Sequence, residues 1–173
     1  ITRRHGRKKA PDTPLQCYQQ GIEHEEMQEQ AKRATLLIGA ADNDGARKIL
    51  NSFSVRYLIP FIDVSSEIIP GEQVPQSVAQ VCTVIPGQSG CLMCNGMIDP
   101  TEAALDLVSP EKRQERARIG YIRGTDETPT PSVLHLNGVV SYLGISQLIR
   151  LIFGESMSGK EFLHYERESC QII

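Results

Sequence analysis

Thr35-Leu36-Leu37-Ile38-Gly39-Ala40-Ala41-Asp42-Asn43-Asp44-Gly45-Ala46-Arg47-Lys48-Ile49-Leu50 is the stretch on which the fold turns. Its first six residues are a short apolar run, β-branched at Thr35 and Ile38, and read as a buried parallel strand. Asp42 to Gly45 breaks the strand and supplies helix-capping side chains. Residues 46–58 then place Ile49, Leu50, Phe53 and Tyr57 on one face at helical spacing. Pro60 ends that helix, and Phe61-Ile62-Asp63-Val64 opens another strand. Upstream, residues 15–22 (LQCYQQGI) read as a strand. Residues 23–34 read as a helix, with acids in its first turn and Lys32 and Arg33 in its last, the polarity that suits a helix dipole. The alternation of strand and helix predicts an α/β fold with a doubly wound, mostly parallel sheet.

Beyond Val64 the texture changes. Residues 65–90 are rich in Ser, Gln, Gly and Pro around one β-rich run, residues 78–85, closed by the turn Pro86-Gly87. An antiparallel extension of the sheet is expected there. Residues 101–118 read as a helix interrupted at Pro110, and 119–131 as a Gly/Thr/Pro loop. Residues 132–153 form the longest apolar helix, with a side of small residues (Gly138, Ser141, Gly144, Ser146) that permits close packing. Gly154 ends it, and FLHYERESCQII reads as a final strand. Residues 1–14 carry Arg3, Arg4, Arg7, Lys8 and Lys9 followed by two prolines, a basic arm expected to be a solvated tail. The organisation predicted is an arm (1–14), an α/β domain (15–155) and a C-terminal segment (156–173).

The whole chain sets outer bounds. Its 173 residues, 40% hydrophobic and 23% charged, suit one globular domain. A net charge of −3 and a pI near 5.8 argue against a nucleic-acid binder. No run of about 18 apolar residues predicts a membrane span, and no apolar segment follows the basic start as in a signal peptide. Five cysteines, an odd number without a framework, point to a reducing compartment, the cytoplasm by default.

Ligands of open parallel sheets bind at the carboxyl ends of strands. Asp42 and Asn43 fall there, with Arg47 and Asn51 at i and i+4 on the following helix. By residue type Asp42 is a magnesium or ribose ligand and Arg47 a phosphate partner. The same spacing equally describes a helix N-cap, Asp42 or Asn43, beside an exposed arginine. Cys91-Leu92-Met93-Cys94 is the only close cysteine pair. His135 reads as a packed histidine and His164 as a surface one. Gly154 to Lys160 has the outline of a phosphate loop, but Glu161 stands where Ser or Thr is needed and a helix precedes it.

Asp42-Asn43-Asp44-Gly45-Ala46-Arg47-Lys48-Ile49-Leu50-Asn51 fits D-N-x-x-x-R-x-x-x-N, and here the sequence resembles the ThiF/MoeB/HesA family, bacterial relatives of ubiquitin-activating enzymes. Pro86-Gly87-Gln88-Ser89-Gly90-Cys91-Leu92-Met93-Cys94 is similar to the family's P-G-x-x-C-x-x-C. Gly120-Tyr121-Ile122 and Pro129-Thr130-Pro131-Ser132-Val133 look like ThiF-type proteins of bacterial ubiquitin-like gene clusters. The resemblance covers roughly residues 15–155. It implies a Rossmann-like fold, a homodimer, and use of ATP and Mg2+ to adenylate the C-terminal carboxylate of a ubiquitin-like or sulfur-carrier protein. It further implies Asp42 as the magnesium and nucleotide residue, Asn43 as its neighbour in the pocket, and Arg47 and Asn51 as helix residues lining the site.

The departures are equally specific. No G-x-G-x-x-G loop precedes Asp42, where the glycines are only Gly6, Gly21 and Gly39. The family's phosphate-contacting lysine would fall before Ile1. The chain therefore reads as the later part of a family domain, with the N-terminal nucleotide loop missing. The family pairs its C-x-x-C with a second one near the C-terminus around a structural Zn2+. Here only Cys170 stands near the end, so an incomplete zinc set, two ordinary thiols, and a redox or thioester nucleophile all stay open for Cys91 and Cys94. A non-catalytic ThiF-fold partner or scaffold that binds a ubiquitin-like protein is the alternative to the enzyme.

Overall fold

The computed structural model describes residues 8–9, 12–69, 76–108 and 134–172. In chain order its elements are α1 (Glu25–Ala31), β1 (Leu37–Gly39), α2 (Asp44–Tyr57), β2 (Phe61–Ile69), β3 (Gln76–Val84), α3 (Pro100–Asp106), α4 (Leu134–Ile152), β4 (Phe162–Glu166) and β5 (Gln171–Ile172). They build a five-stranded sheet of order β1-β2-β3-β4-β5. β1 and β2 are parallel, joined by the α2 crossover, with Ile38 opposite Ile62. The remaining pairs are antiparallel, with Asp63 opposite Cys82 and Val81 opposite Leu163. The α/β class and the antiparallel extension are as expected, and the final strand is there as the β4–β5 ribbon. Of the expected parallel part, the described residues contain this one pair.

Residues 15–22 are the correction. They form no strand, and Gln16 to Gly21 are exposed. The physical reason is the sheet edge. β1 is only three residues long and pairs on one side with β2, so LQCYQQGI meets no described ladder to satisfy its backbone. The helix expected at 23–34 is shorter, and Lys32 and Arg33 lie past its end. The signals around Pro110, Gly120-Tyr121-Ile122 and Pro129 to Val133, like most of the basic arm, lie outside the described residues.

Strand periodicity sorts the core into two halves. Phe61, Cys82 and Val84 face α1, α2, α3 and the 85–99 loop, packing with Leu37, Phe53, Leu92, Ile98 and Ala103. Ile62, Ala79 and Val81 face the other way, against Leu136 and Val140 of α4. The approach of α4 is set by Gly144, where an added Cβ would stand 2.7 Å from Val64 Cγ1. Of the small-residue side, only Gly144 is buried on the sheet; Ser141 and Ser146 are exposed. A similar approach joins α2 to α3. A Cβ at Gly45 would stand 2.8 Å from Asp106 Cβ, and the Gly45 N–H donates to Asp106 Oδ2 at 3.1 Å. Leu58, with φ 57°, closes α2 in the left-handed conformation before Pro60. Among the described residues no helix is long and apolar enough to cross a membrane.

Candidate functional site

β1 ends at Gly39, and the chain turns at Ala40 to Asn43 into α2. Asn43 is the N-cap: its side-chain oxygen accepts from Ala46 N at 2.8 Å. That leaves Asp42 exposed, with its Oδ1 accepting, among the described residues, only from the Asn43 amide at 3.2 Å. An exposed carboxylate at the carboxyl end of a parallel strand, beside a helix start, sits where anionic ligands and their counter-cations meet.

Arg47 and Asn51 lie on the buried face of α2. Arg47 is only 8% exposed. Its Nε and Nη2 donate to the Asp63 carboxylate, the shortest contact being 2.7 Å. Its Nη1 donates to Asp44 Oδ1 and to the Met97 carbonyl, both at 3.0 Å. Asp63 is fully buried on β2. Burial pushes its carboxyl above the ordinary range, against the pull of Arg47. Burial also works against the Arg47 charge, but Asp63 and Asp44 outweigh it and raise the guanidinium pKa. Asp44 Oδ2 accepts from Asp99 N at 2.9 Å, which joins the start of α2 to the start of α3. Asn51 Oδ1 accepts from Leu92 N at 2.9 Å, inside the C-x-x-C turn. Arg47 and Asn51 thus share a helix face with each other and reach the 85–99 loop, while Asp42 stands apart in solvent.

Cys91 and Cys94 meet, with Sγ atoms 3.3 Å apart. Burial raises the Cys91 thiol, yet the Cys94 backbone and thiol and the Asn51 side chain hold it below the ordinary value. Cys82, behind them, is pushed up to about 11 by burial. Two thiolates supply half of a tetrahedral zinc site, and among the described residues no group of three or more His, Cys, Asp or Glu surrounds a metal position. Cys170 points to the Arg167 carbonyl in the β4–β5 turn. The pair by itself does not fit a closed zinc site.

Residues 2–171 match the sequence model of the ThiF family. The chain belongs to that family. Among solved structures it is similar in fold to Escherichia coli MccB with ATP, at a TM-score of 0.64 and 15% identity over 99% of this chain and 45% of MccB. MccB in complex with N-formylated MccA, described as the microcin C7 biosynthetic enzyme, gives 0.66 and 16% over 99% of this chain and 46% of MccB. MccB with MccA-N7isoAsn gives 0.66 and 15% over the same shares. The chain spans less than half the length of these relatives. No curated protein matches it. Sequence reasoning found the ThiF motif but missed Asp63, Asp44 and Asp99, the partners that fix it. The available signal for Asp63 was an acid inside an otherwise apolar strand, FIDV, which only a buried cation compensates.

Proposed function

We propose that this chain is part of an ATP-dependent adenylyltransferase acting on the C-terminal carboxylate of a peptide, ubiquitin-like or sulfur-carrier protein. The observation that carries the reading is Asp42, exposed at the carboxyl end of β1 within the ThiF motif. An oxygen of the substrate carboxylate bonds to the α-phosphorus of ATP; the bond from that phosphorus to the bridging oxygen breaks, and pyrophosphate leaves with the electron pair. An anion must approach a polyanion, so positive charge has to be gathered first. Asp42 offers a hard oxygen donor of the kind Mg2+ takes alongside substrate phosphates, and bound Mg2+ would supply charge neutralisation there. Asn43 holds Asp42 from one side and caps α2 from the other.

In this reading Arg47 and Asn51 are positioning residues. Arg47 fixes Asp44 at the helix start and the loop at Met97; Asn51 fixes the loop at Leu92. Pairing as a homodimer and a cytoplasmic location belong to the same proposal. The apolar stripe Tyr142, Ile145, Ile149 and Ile152 left exposed on α4 supports pairing with another surface. The second reading, a non-catalytic ThiF-fold partner, draws on the fact that Arg47 and Asn51 are bonded into the scaffold and would be kept without catalysis.

ATP–pyrophosphate exchange by the full-length protein with a candidate carrier separates the two. Exchange that is lost in Asp42→Ala, with folding intact, supports the enzyme. Exchange that survives the substitution removes Asp42 from the site, and none in wild type favours the partner. Zinc analysis of wild type against Cys94→Ser tests the cysteine pair.

A further inference from the structure

The opposite side of α2 carries a feature the adenylation reading does not use. A groove of about 330 Å3 lies between α1, α2 and the end of α3. Its floor is apolar, built of Ile49, Phe53, Tyr57 and Leu107, with the Phe53 and Tyr57 rings stacked at 5.4 Å. Its rim is basic: Lys32, Lys48 and Arg56, and among the described residues no acidic side chain lines it. Lys32 is occupied, paired with Glu29 and lying 5.7 Å from the Tyr57 ring centre. The Lys48 and Arg56 side chains have no hydrogen-bond or ion-pair partner among the described residues.

Lys48, Ser52 and Arg56 follow one another at four-residue steps, a single row along the helix. Eight residues of helix separate the two free cations by about 12 Å along the axis. One phosphate or carboxylate cannot bridge that span. An extended peptide can, since four residues advance about 13 Å. Successive side chains of a strand alternate, so acids at the first and fifth positions point the same way as the third. The third side chain then meets the Phe53–Tyr57 floor.

We propose that this groove docks an extended acidic segment of a partner protein, with two acids four positions apart and an aromatic or large apolar residue between them. The proposal does not depend on the adenylation reading, since it uses none of Asp42, Arg47 or Asn51.

Fluorescence anisotropy of the full-length protein with a labelled Glu-Gly-Phe-Gly-Glu peptide tests it, against a Lys-Gly-Phe-Gly-Lys control. Wild type is expected to prefer the acidic peptide, and rising salt to weaken it. Lys48→Glu with Arg56→Glu is expected to weaken acidic-peptide binding by about tenfold or more and to gain binding of the lysine peptide. Ser52→Glu, a single exposed change in the middle of the row, should weaken it without affecting folding. Equal binding of both peptides by wild type, or no change in the variants, overturns the proposal. Displacement of the peptide by inorganic phosphate as complete as by unlabelled peptide overturns it too, and assigns the groove to a single small anion.

Discussion

The two faces of the sheet are held by different physics. On one, α4 lays Leu136 and Val140 on Ile62, Ala79 and Val81. On the other, beside the apolar packing of Phe53, Phe61 and Leu92, α2 buries Arg47 and Asn51, which meet an acid, a backbone N–H and the loop that carries the cysteines. The α4 face rests mainly on volume and periodicity, with one buried polar side chain, Gln147, donating to the Lys160 carbonyl at 2.6 Å. The polar face needs particular partners, and it is the face that fixes the corner where Asp42 stands. The contrast predicts that substitutions on the α4 side act on stability alone, whereas those on the polar side also move the site.

The largest effect is expected at the buried pair. Arg47→Met leaves Asp63 buried and unpaired, which costs about 3–5 kcal/mol. Adding Asp63→Leu removes the stranded charge and should recover much of that loss in denaturant unfolding, while leaving the Met97 carbonyl and Asp44 Oδ1 without their Arg47 contacts. If the single variant costs no more than a surface substitution, the polar frame is not what holds this face. The matching change on the other face is Gly144→Val, which drives a side chain into Val64 and is expected to cost about 1–3 kcal/mol. It should leave the proposed ATP–pyrophosphate exchange per folded molecule unchanged.

Asn51→Ala comes next. It strands the Leu92 N–H at a cost of about 1–3 kcal/mol. It also removes one of the contacts that hold the Cys91 thiol low. Alkylation followed by mass spectrometry should therefore modify Cys91 well before Cys82 in wild type, and Asn51→Ala should slow Cys91. Equal labelling of Cys82 and Cys91 would show that the thiol contrast does not exist in solution. Asn43→Ala removes the α2 cap and should cost about 1 kcal/mol.

The difference between the faces also explains what the sequence made legible. Ile49, Leu50, Phe53 and Tyr57 announced an apolar side of α2 by spacing, and Gly144 and Gly154 announced a packed, terminated α4. Asn43 was legible as a cap because capping is local. Periodicity places Tyr57 inward, yet it is 39% exposed, and Arg47, read as a phosphate partner or as an exposed arginine beside a cap, is buried. The reason is distance in sequence. Arg47 is compensated by Asp63 and the Met97 carbonyl, and Asn51 by Leu92, partners that only the folded loop brings near. The strand read at residues 15–22 failed for a related reason. A strand is defined by its neighbour, and local composition carries no information about which edge is available. The ThiF motif itself was legible because it is a contiguous run on one helix and its lead-in turn.

The smallest expected effect tests the outer limit of the polar frame. Asp99 caps α3 by accepting from Thr101 N at 2.7 Å and Glu102 N at 3.1 Å, while its own N–H donates to Asp44. The helix-start N–H groups of Glu102 and Thr101 hold its carboxyl below the ordinary value. A folded pKa below the unfolded one favours the fold once pH is above the unfolded pKa. That contribution disappears as pH falls through the folded value. Unfolding followed across the acid range should therefore show a small loss of stability at the acid end. Asp99→Asn keeps the cap geometry but cannot titrate, so it should flatten that part of the profile. If the profile is unchanged, the Asp99 carboxylate adds nothing to the hold on α3, which then rests on packing at Gly45 and Ala103 and on the hydrogen bonds from Gly45 N–H to Asp106 and from Asp99 N–H to Asp44.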